Sequence, residues 1–490
     1  MTADLVIGLD SSTQSTKAIA WNRSGTAMAE GRARLDLSYP RPGWVEQDPA
    51  HWWSAAKRAL SGISGTVNPD RVAALAISNQ RETVAFLDAD LTARRPAILW
   101  LDERAAGEIA PLNAALGAGH LHEISGKPPD VTPVIYRLAW MRREAPESLD
   151  RGARILDVHG YLTGRLTGTA VASWTSADPF GLFDIRLKSW SEPLLRHLGL
   201  EAAQFGALAA PGTRIGALTA TAAAETGLRA GTPVIAAGGD GQCAGLGVDA
   251  ARPGTVYLNL GTAQITGMWS LEPHIARTWR SMTSPTGEGY FLEGCLRAGT
   301  YFIDWIAERF CGADPTHRDT HARLETDAAS LPLGTEGLTV CPYLSGVMDP
   351  HWDPAARAAF LGLSSHHGPV HLYRAALEAM VCETARCIEA MRASGLAPAQ
   401  IRAIGGGAQN ALWLQMFADA TGLPVTLSDT IEASALGAAM TAATGIGWFV
   451  GFAEAATEMS STSRTILPNP TQADGWQALM ARQARAYRAD

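Results

Sequence analysis

Two stretches half a chain apart follow one plan. LVIGLDSSTQSTKAIAW at residues 5–21 and TVYLNLGTAQITGMWSL at 255–271 both run as apolar strand, small-residue turn and apolar strand. Setting Ser12 and Thr13 against Gly261 and Thr262 places Asp10 opposite Asn259. Self-similarity of this kind points to a duplicated domain. A chain of 490 residues is also too long for one ordinary core, and 47 % of it is apolar, so two large domains are expected. The expected division is 1–246 and 247–490.

The first copy opens a run of three strands over residues 4–38, read as an antiparallel meander. Its loop SSTQS offers amides and hydroxyls that suit an anion, and it reads equally as a plain hairpin. PGWVEQDPAHWW then leads into a helix that Asp48 caps, with Pro49 at its first position. VAALAISNQ has the unbroken apolar run of a buried strand and ends in Gln80, Arg81 and Glu82. AILWLDERA repeats that arrangement with Trp100, Asp102 and Arg104. Each set alone reads as a salt bridge; together they offer paired donors and acceptors beside an aromatic face, as recognition of a small polyhydroxyl compound requires. PVIAAGGDGQ at 233–242 lifts a β-branched run to Gly238 and Gly239 and delivers Asp240 at its end. That carboxylate is either a solvated turn residue or a group that takes a proton from a bound hydroxyl.

Residues 104–230 read as mainly helical, with DVHGYLTGRLTG as a helix broken by its glycines. His120, His122 and His159 there read as structural rather than as a metal set. In the second half, GPVHLYRAALEAMVCETARCIEAMRAS has the periodicity of a long helix. IRAIGGGAQN is a strand ending in glycines before the helix ALWLQMFADATG, a junction that suits a nucleotide or phosphate. It matches neither GxGxxG nor GxxxxGK[ST], which argues against a Rossmann dehydrogenase or a P-loop enzyme.

Composition removes other classes. The net charge is −8 and the basic residues are scattered, so no nucleic-acid partner is expected. Six cysteines without a CxxC pair read as buried thiols of a reducing, cytoplasmic location. The amino terminus enters a strand within four residues, leaving no room for a signal core. Ser434 to Gly451 is uncharged but rich in Ala, Gly and Thr, so it reads as a buried helix and no membrane partner is expected.

The segment AFLGLSSHHGPVHLYRAALE at 359–378, with Ala358 before it, resembles the carboxy-terminal signature of the FGGY family of carbohydrate kinases. IGLDSST, PGWVEQDP, NQRE, GGDGQ, LGT, PYLSG with PHWDP, and GGGAQN leading to EASALGAA extend the resemblance to about residue 450. It implies an α/β fold of two ribonuclease-H/actin-like domains with an interdomain cleft. The sugar would lie mostly on the first and ATP mostly on the second.

By the same resemblance Asp240 is the general base and Asp10 the carboxylate that positions Mg²⁺, with a strand-end cap as its alternative. Ser12 and Thr13 would form one phosphate loop, and Gly261 with Thr262 the other. Lys17 would reach a phosphate, or remain a solvated strand residue. Gly406, Gly407, Ala408 and Asn410 match the adenosine turn, Asn410 being alternatively only a helix cap. Arg81, Glu82, Trp100 and Asp102 would line the acceptor site, with Gln242 adding a hydrogen bond.

The acceptor signals divide. The second half resembles the xylulokinase branch, whereas NQRE is similar to glycerol and polyol kinases. Thr132 stands where glycerol kinases place a Tyr, and GVMDP replaces the common GERTP. The expected activity is ATP-dependent phosphorylation of a ketopentose-like sugar such as xylulose. A glycerol- or erythritol-type polyol kinase is the alternative within the class, and an actin- or Hsp70-like ATPase without a sugar acceptor the alternative outside it. The partner expected is the small sugar or polyol itself; for assembly a homodimer is the candidate.

Overall fold

A computed structural model describes residues 3–117, 119–314 and 320–487. Two large sheets organise it, and we number their strands in chain order. The first sheet holds β1 (Leu5–Ser11), β2 (Ser15–Trp21), β3 (Ala27–Arg34), β4 (Val72–Asn79), β5 (Arg214–Ala217) and β6 (Pro233–Gly239). The second holds β7 (Thr255–Leu260), β8 (Gln264–Ser270), β9 (Arg280–Thr283), β10 (Tyr290–Leu296), β11 (Gln400–Ile404), β12 (Val425–Ser428) and β13 (Thr462–Ile466).

The strand orders are β3-β2-β1-β4-β6-β5 and β9-β10-β8-β7-β11-β12-β13. Laid side by side, β1 corresponds to β7, β2 to β8, β3 to β10, β4 to β11, β6 to β12 and β5 to β13. Every neighbouring pair agrees in direction: β1 is antiparallel to β2 and parallel to β4, and β7 is antiparallel to β8 and parallel to β11. The duplication read from two hairpins thus extends across six strands, with β9 added beside β10 on the second edge. Asp10 and Asn259 hold equivalent places, Asp10 opposite Ser78 of β4 and Asn259 opposite Ile404 of β11.

Six helices position the site: α1 (Pro49–Ser64), α2 (Asp240–Gly247), α3 (Pro369–Ala393), α4 (Ala411–Thr421), α5 (Ala433–Gly445) and α6 (Phe452–Met459). Asp48 caps α1 as expected, its Oδ1 accepting from Ala50 N at 2.9 Å. The DVHGYLTGRLTG segment is one unbroken helix, Val158–Thr167. Its glycines admit close neighbours instead of breaking it: a Cβ on Gly164 would lie 2.6 Å from Leu91 Cδ1. The helix ends at Gly168, whose φ of 81° is the left-handed conformation of a helix stop. The region 104–230 also contains short strands at Arg154–Leu156, Val171–Ser173 and Ala207–Ala209.

The uncharged stretch is a buried helix, α5, and it lies across β1, β4 and β6 of the first sheet while crossing α2. Small residues set the distance. A Cβ on Gly437 would fall 1.8 Å from the Cys243 carbonyl oxygen, one on Gly8 1.8 Å from the Ala435 oxygen, and one on Gly247 2.1 Å from the Ala433 oxygen. Among the described residues no helix is long and apolar enough to cross a membrane. All six cysteines are free thiols, four buried and two half-buried.

Candidate active site

β6 ends at Gly239 and α2 begins at Asp240, so the carboxylate stands on the first turn of a helix at the carboxyl end of a buried strand. Anions are favoured at such a helix start. Asp240 Oδ1 accepts from the Gly241 N–H at 2.8 Å and lies 3.1 Å from Arg81 Nε, while its side chain stays 37 % exposed. Burial raises its pKa, and Arg81 and the Gly241 amide oppose that rise. The preceding glycines serve protein neighbours rather than a ligand's space. Gly238 has φ 136°, and a Cβ there would lie 1.8 Å from Thr175 Oγ1; one on Gly239 would lie 2.4 Å from Gln242 Oε1 and 2.7 Å from Arg81 Cδ.

From Asp240 a line of alternating charge runs into the protein. Arg81 Nη1 donates to Glu293 Oε2 at 3.0 Å and to Gln242 Oε1 at 3.2 Å. Arg280 joins the other oxygen of Glu293 and, at 2.7 Å, Glu82 Oε1. Burial alone would raise Glu293, yet Arg81 and Arg280 hold it down to about 2; for Glu82 burial prevails and its pKa is raised. Neither Arg280 nor Glu293 was among the expected site residues. They are direct cross-strand partners on β9 and β10, and the available signal was a Glu inside the otherwise apolar strand YFLEGCL.

The acceptor-site expectations divide. Trp100 is half-buried, its Nε1 donating to Thr13 Oγ1 at 2.9 Å, which ties it to the loop between β1 and β2. Asp102 has no exposed surface. Its oxygens are taken by Val45 N–H at 2.6 Å and by Arg104 at 2.7 and 2.8 Å, so the structure removes it as a ligand contact and makes it the anchor of the loop that carries Trp100. Gln242 is likewise fully buried, accepting from Arg81 and donating to the Thr175 carbonyl at 3.4 Å. Arg137, another residue the sequence reading missed, is buried and donates to the carbonyls of Glu82 at 2.6 Å, Thr132 at 3.0 Å and Trp100 at 3.0 Å. One guanidinium thereby fixes three loops by their main chain.

Asp10 is 7 % exposed at the end of β1, its Oδ1 accepting from Ser78 Oγ at 2.9 Å. Burial, and then the charge of Asp240, push its pKa up to about 7. Asp10, buried without a cation in contact and beside the partly exposed Asp240, fits a hard divalent cation. Lys17 instead gives its ammonium to Glu432, at 2.8 and 3.1 Å. Ser12 closes its own turn through Ser15 O at 2.8 Å. The second loop is shaped by Thr300 N–H donating to Gly261 O at 2.8 Å and Gly299 N–H donating to Thr262 O at 2.6 Å.

Beside that loop, Gly405 has φ 93°, and a Cβ on it would fall 2.7 Å from Asn259 Oδ1. Gly407 packs against Trp413 and Ala408 is fully buried, whereas a Cβ on Gly406 would meet nothing within 4 Å. Asn410 caps α4, its Oδ1 accepting from Trp413 N–H at 2.8 Å. Glu336, His366 and His367 form a separate cluster, two of them exposed and His367 half-buried. His367 Nδ1 already accepts from the Ser364 N–H at 2.9 Å, which leaves its Nε2 protonated in the neutral ring and unsuited to a metal.

Comparison with known proteins gives a consistent result. A xylulose kinase of Bacillus subtilis is 28 % identical over 480 residues, 97 % of this chain and 95 % of that protein. A glycerol kinase of Aromatoleum aromaticum is 32 % identical over 507 residues, covering 98 % and 97 %. The crystal structure of a xylulose kinase from Rhodospirillum rubrum superposes with a TM-score of 0.92 at 30 % identity, over 99 % of this chain and 98 % of that one. Residues 5–247 match the N-terminal domain, and residues 256–446 the C-terminal domain, of one family of phosphotransferases. The chain belongs to the FGGY family of carbohydrate kinases.

Proposed function

We propose that this kinase transfers the γ-phosphoryl group of ATP to a hydroxyl of a small ketose, a ketopentose such as xylulose first, with Asp240 as the general base. The observation that carries the reading is the placement of Asp240: a partly exposed carboxylate, raised by burial, 3.1 Å from the same Arg81 that adjoins Glu82. A partly exposed carboxylate beside one guanidinium that opposes its rise can accept the acceptor's hydroxyl proton as the new phosphorus–oxygen bond forms and the bond to ADP breaks. Arg81, Glu82 and Trp100 would orient the acceptor. Family membership removes the acceptor-free ATPase as a reading.

Asp10 is the residue proposed to hold Mg²⁺, which when bound would supply positive charge to the phosphates. The proposed nucleotide contacts are Ser12, Thr13, Gly261, Thr262, Gly406 and Gly407 by main chain or hydroxyl, with Lys17 only if its pair with Glu432 opens. The division at 246/247 is kept as a proposal in which α5 and α6, though late in sequence, belong by packing to the first sheet.

The relatives named xylulose kinase support the ketopentose, and the likeness to glycerol kinases, together with the Arg81–Glu82 pair, supports a polyol as the second reading. ADP release measured with ketopentoses, glycerol and erythritol at equal concentration separates them. A polyol phosphorylated faster than every ketose would reverse the order, and no acceptor above basal hydrolysis would sink both. Asp240→Asn is expected to lower acceptor phosphorylation by about 10³-fold or more while ATP still binds; full turnover in that variant would remove the base assignment.

A further inference from the structure

We propose that Arg280 and Glu293 are positioning residues of the acceptor site, so that a pocket built on the first sheet is complete only when strands of the second sheet close on it. This rests on the acceptor reading given above. Arg81 and Glu82 leave β4 side by side, yet each is held from the other sheet: Arg81 by Glu293 of β10 at 3.0 Å, Glu82 by Arg280 of β9 at 2.7 Å. Arg280 and Glu293 in turn hold each other across the β9–β10 register. The side chains of Arg280, Glu82 and Glu293 are 7 %, 7 % and 0 % exposed, so the pairs act where water screens them little.

The same edge of the second sheet makes further contacts around these four residues. Arg297, just after β10, pairs with Asp130 at 3.0 Å. Lys127 Nζ donates to Ser281 O at 2.6 Å, and Thr283 Oγ1 donates to Asp178 Oδ2 at 2.7 Å. Asp130 also accepts from Thr132 Oγ1 at 2.8 Å, so the β10 end reaches the loop that Arg137 ties to Glu82 and Trp100. Space is set to match: a Cβ on Gly241 would lie 2.9 Å from both Arg81 Nη2 and Glu293 Oε2. Without Glu293, Arg81 would be left with Asp240 and Gln242; without Arg280, Glu82 would be a buried carboxylate lacking its cation. Acceptor recognition therefore depends on two residues of the sheet that carries the proposed nucleotide loop.

The test is steady-state kinetics on the full chain, with ATP and the best acceptor of the panel each varied, for Arg280→Met, Glu293→Gln and Arg280→Lys. Arg280→Met and Glu293→Gln are expected to lower kcat/KM for the acceptor by about 100-fold, with KM for ATP within about twofold of the parent. Arg280→Lys is expected to restore only part, since one ammonium cannot fork between two carboxylates as a planar guanidinium does. A KM for ATP that rises by about as much as kcat/KM for the acceptor falls would show a general structural role and overturn the proposal, as would no loss toward the acceptor. If Arg280→Met does not fold, Glu293→Gln and Arg280→Lys carry the same comparison. Failure of the parent enzyme to phosphorylate any acceptor would instead count against the function on which the inference rests.

Discussion

At the scale of single residues, Asp10 and Asp157 are buried carboxylates without a salt-bridge cation among the described residues. Asp157 is 4 % exposed, caps the helix Val158–Thr167, and has one oxygen without a partner among the described residues. Burial pushes it up to about 7, opposed by hydrogen bonds from the Gly160 amide and from its own amide. A carboxyl whose folded pKa lies above its unfolded value is held more firmly by the folded state in its protonated form. Its contribution to stability is therefore lost as pH rises from about 4 through about 7. Asp157→Asn keeps an oxygen for the cap and removes the charge, so it is expected to raise the thermal midpoint more at pH 8 than at pH 5. An equal shift at both values would contradict the assignment. Such groups also mark what the sequence could convey. Arg81, Glu82 and Asp240, the residues proposed for the site, stood out because they are polar residues at the ends of apolar strands. Asp102 and Gln242 have the same signature but spend their polar atoms on Arg104, Val45, Arg81 and Thr175. Arg280 and Glu293 stayed hidden because their partners lie far away in sequence.

At the scale of elements, glycine decides where helices can cross. α5 meets α2 at Gly437, where a Cβ would stand 1.8 Å from the Cys243 carbonyl oxygen, a backbone atom that cannot swing aside. Gly437→Ala is expected to destabilise by several kcal/mol, read as a large fall in the denaturation midpoint. Gly451→Ala, whose Cβ meets nothing within 4 Å, is expected to change it by no more than about 0.5 kcal/mol. Gly406 separates folding from function in the proposed adenosine turn. Its Cβ also meets nothing, so Gly406→Ala should fold as the parent does and bind ATP about tenfold more weakly if nucleotide lies against that face. Unchanged ATP affinity would move the nucleotide elsewhere. The glycines of EASALGAA and GGDGQ were visible in the sequence, but their reason was not. Both sets admit protein atoms, and that follows only from which elements face each other.

At the scale of the whole molecule, the duplication and the chain order disagree about where the first unit ends. Two hairpins revealed the repeat, and the strand pairing carries it across both sheets. Yet the apolar face formed by Val6, Ala74, Ala76, Ile235 and Ala237 is covered by Leu436, Ala439, Met440 and Ala443 of α5 and by Met459 of α6. Composition identified α5 as buried; it could not say against which sheet, because an Ala-rich helix carries no face distinctive enough to name its partner. The first sheet therefore lacks one cover until nearly the whole chain is present. A fragment of residues 1–246 is expected to expose that face, to bind a hydrophobic dye and to aggregate, as uncovered apolar patches of this kind do. Joining residues 430–461 to it through a flexible linker should restore a cooperative thermal transition and suppress dye binding, because α5 and α6 would again close over β1, β4 and β6. A soluble, cooperatively melting 1–246 fragment without that addition would show that the packing of α5 is dispensable, and would put the boundary back at the residue where the sequence repeat suggests it.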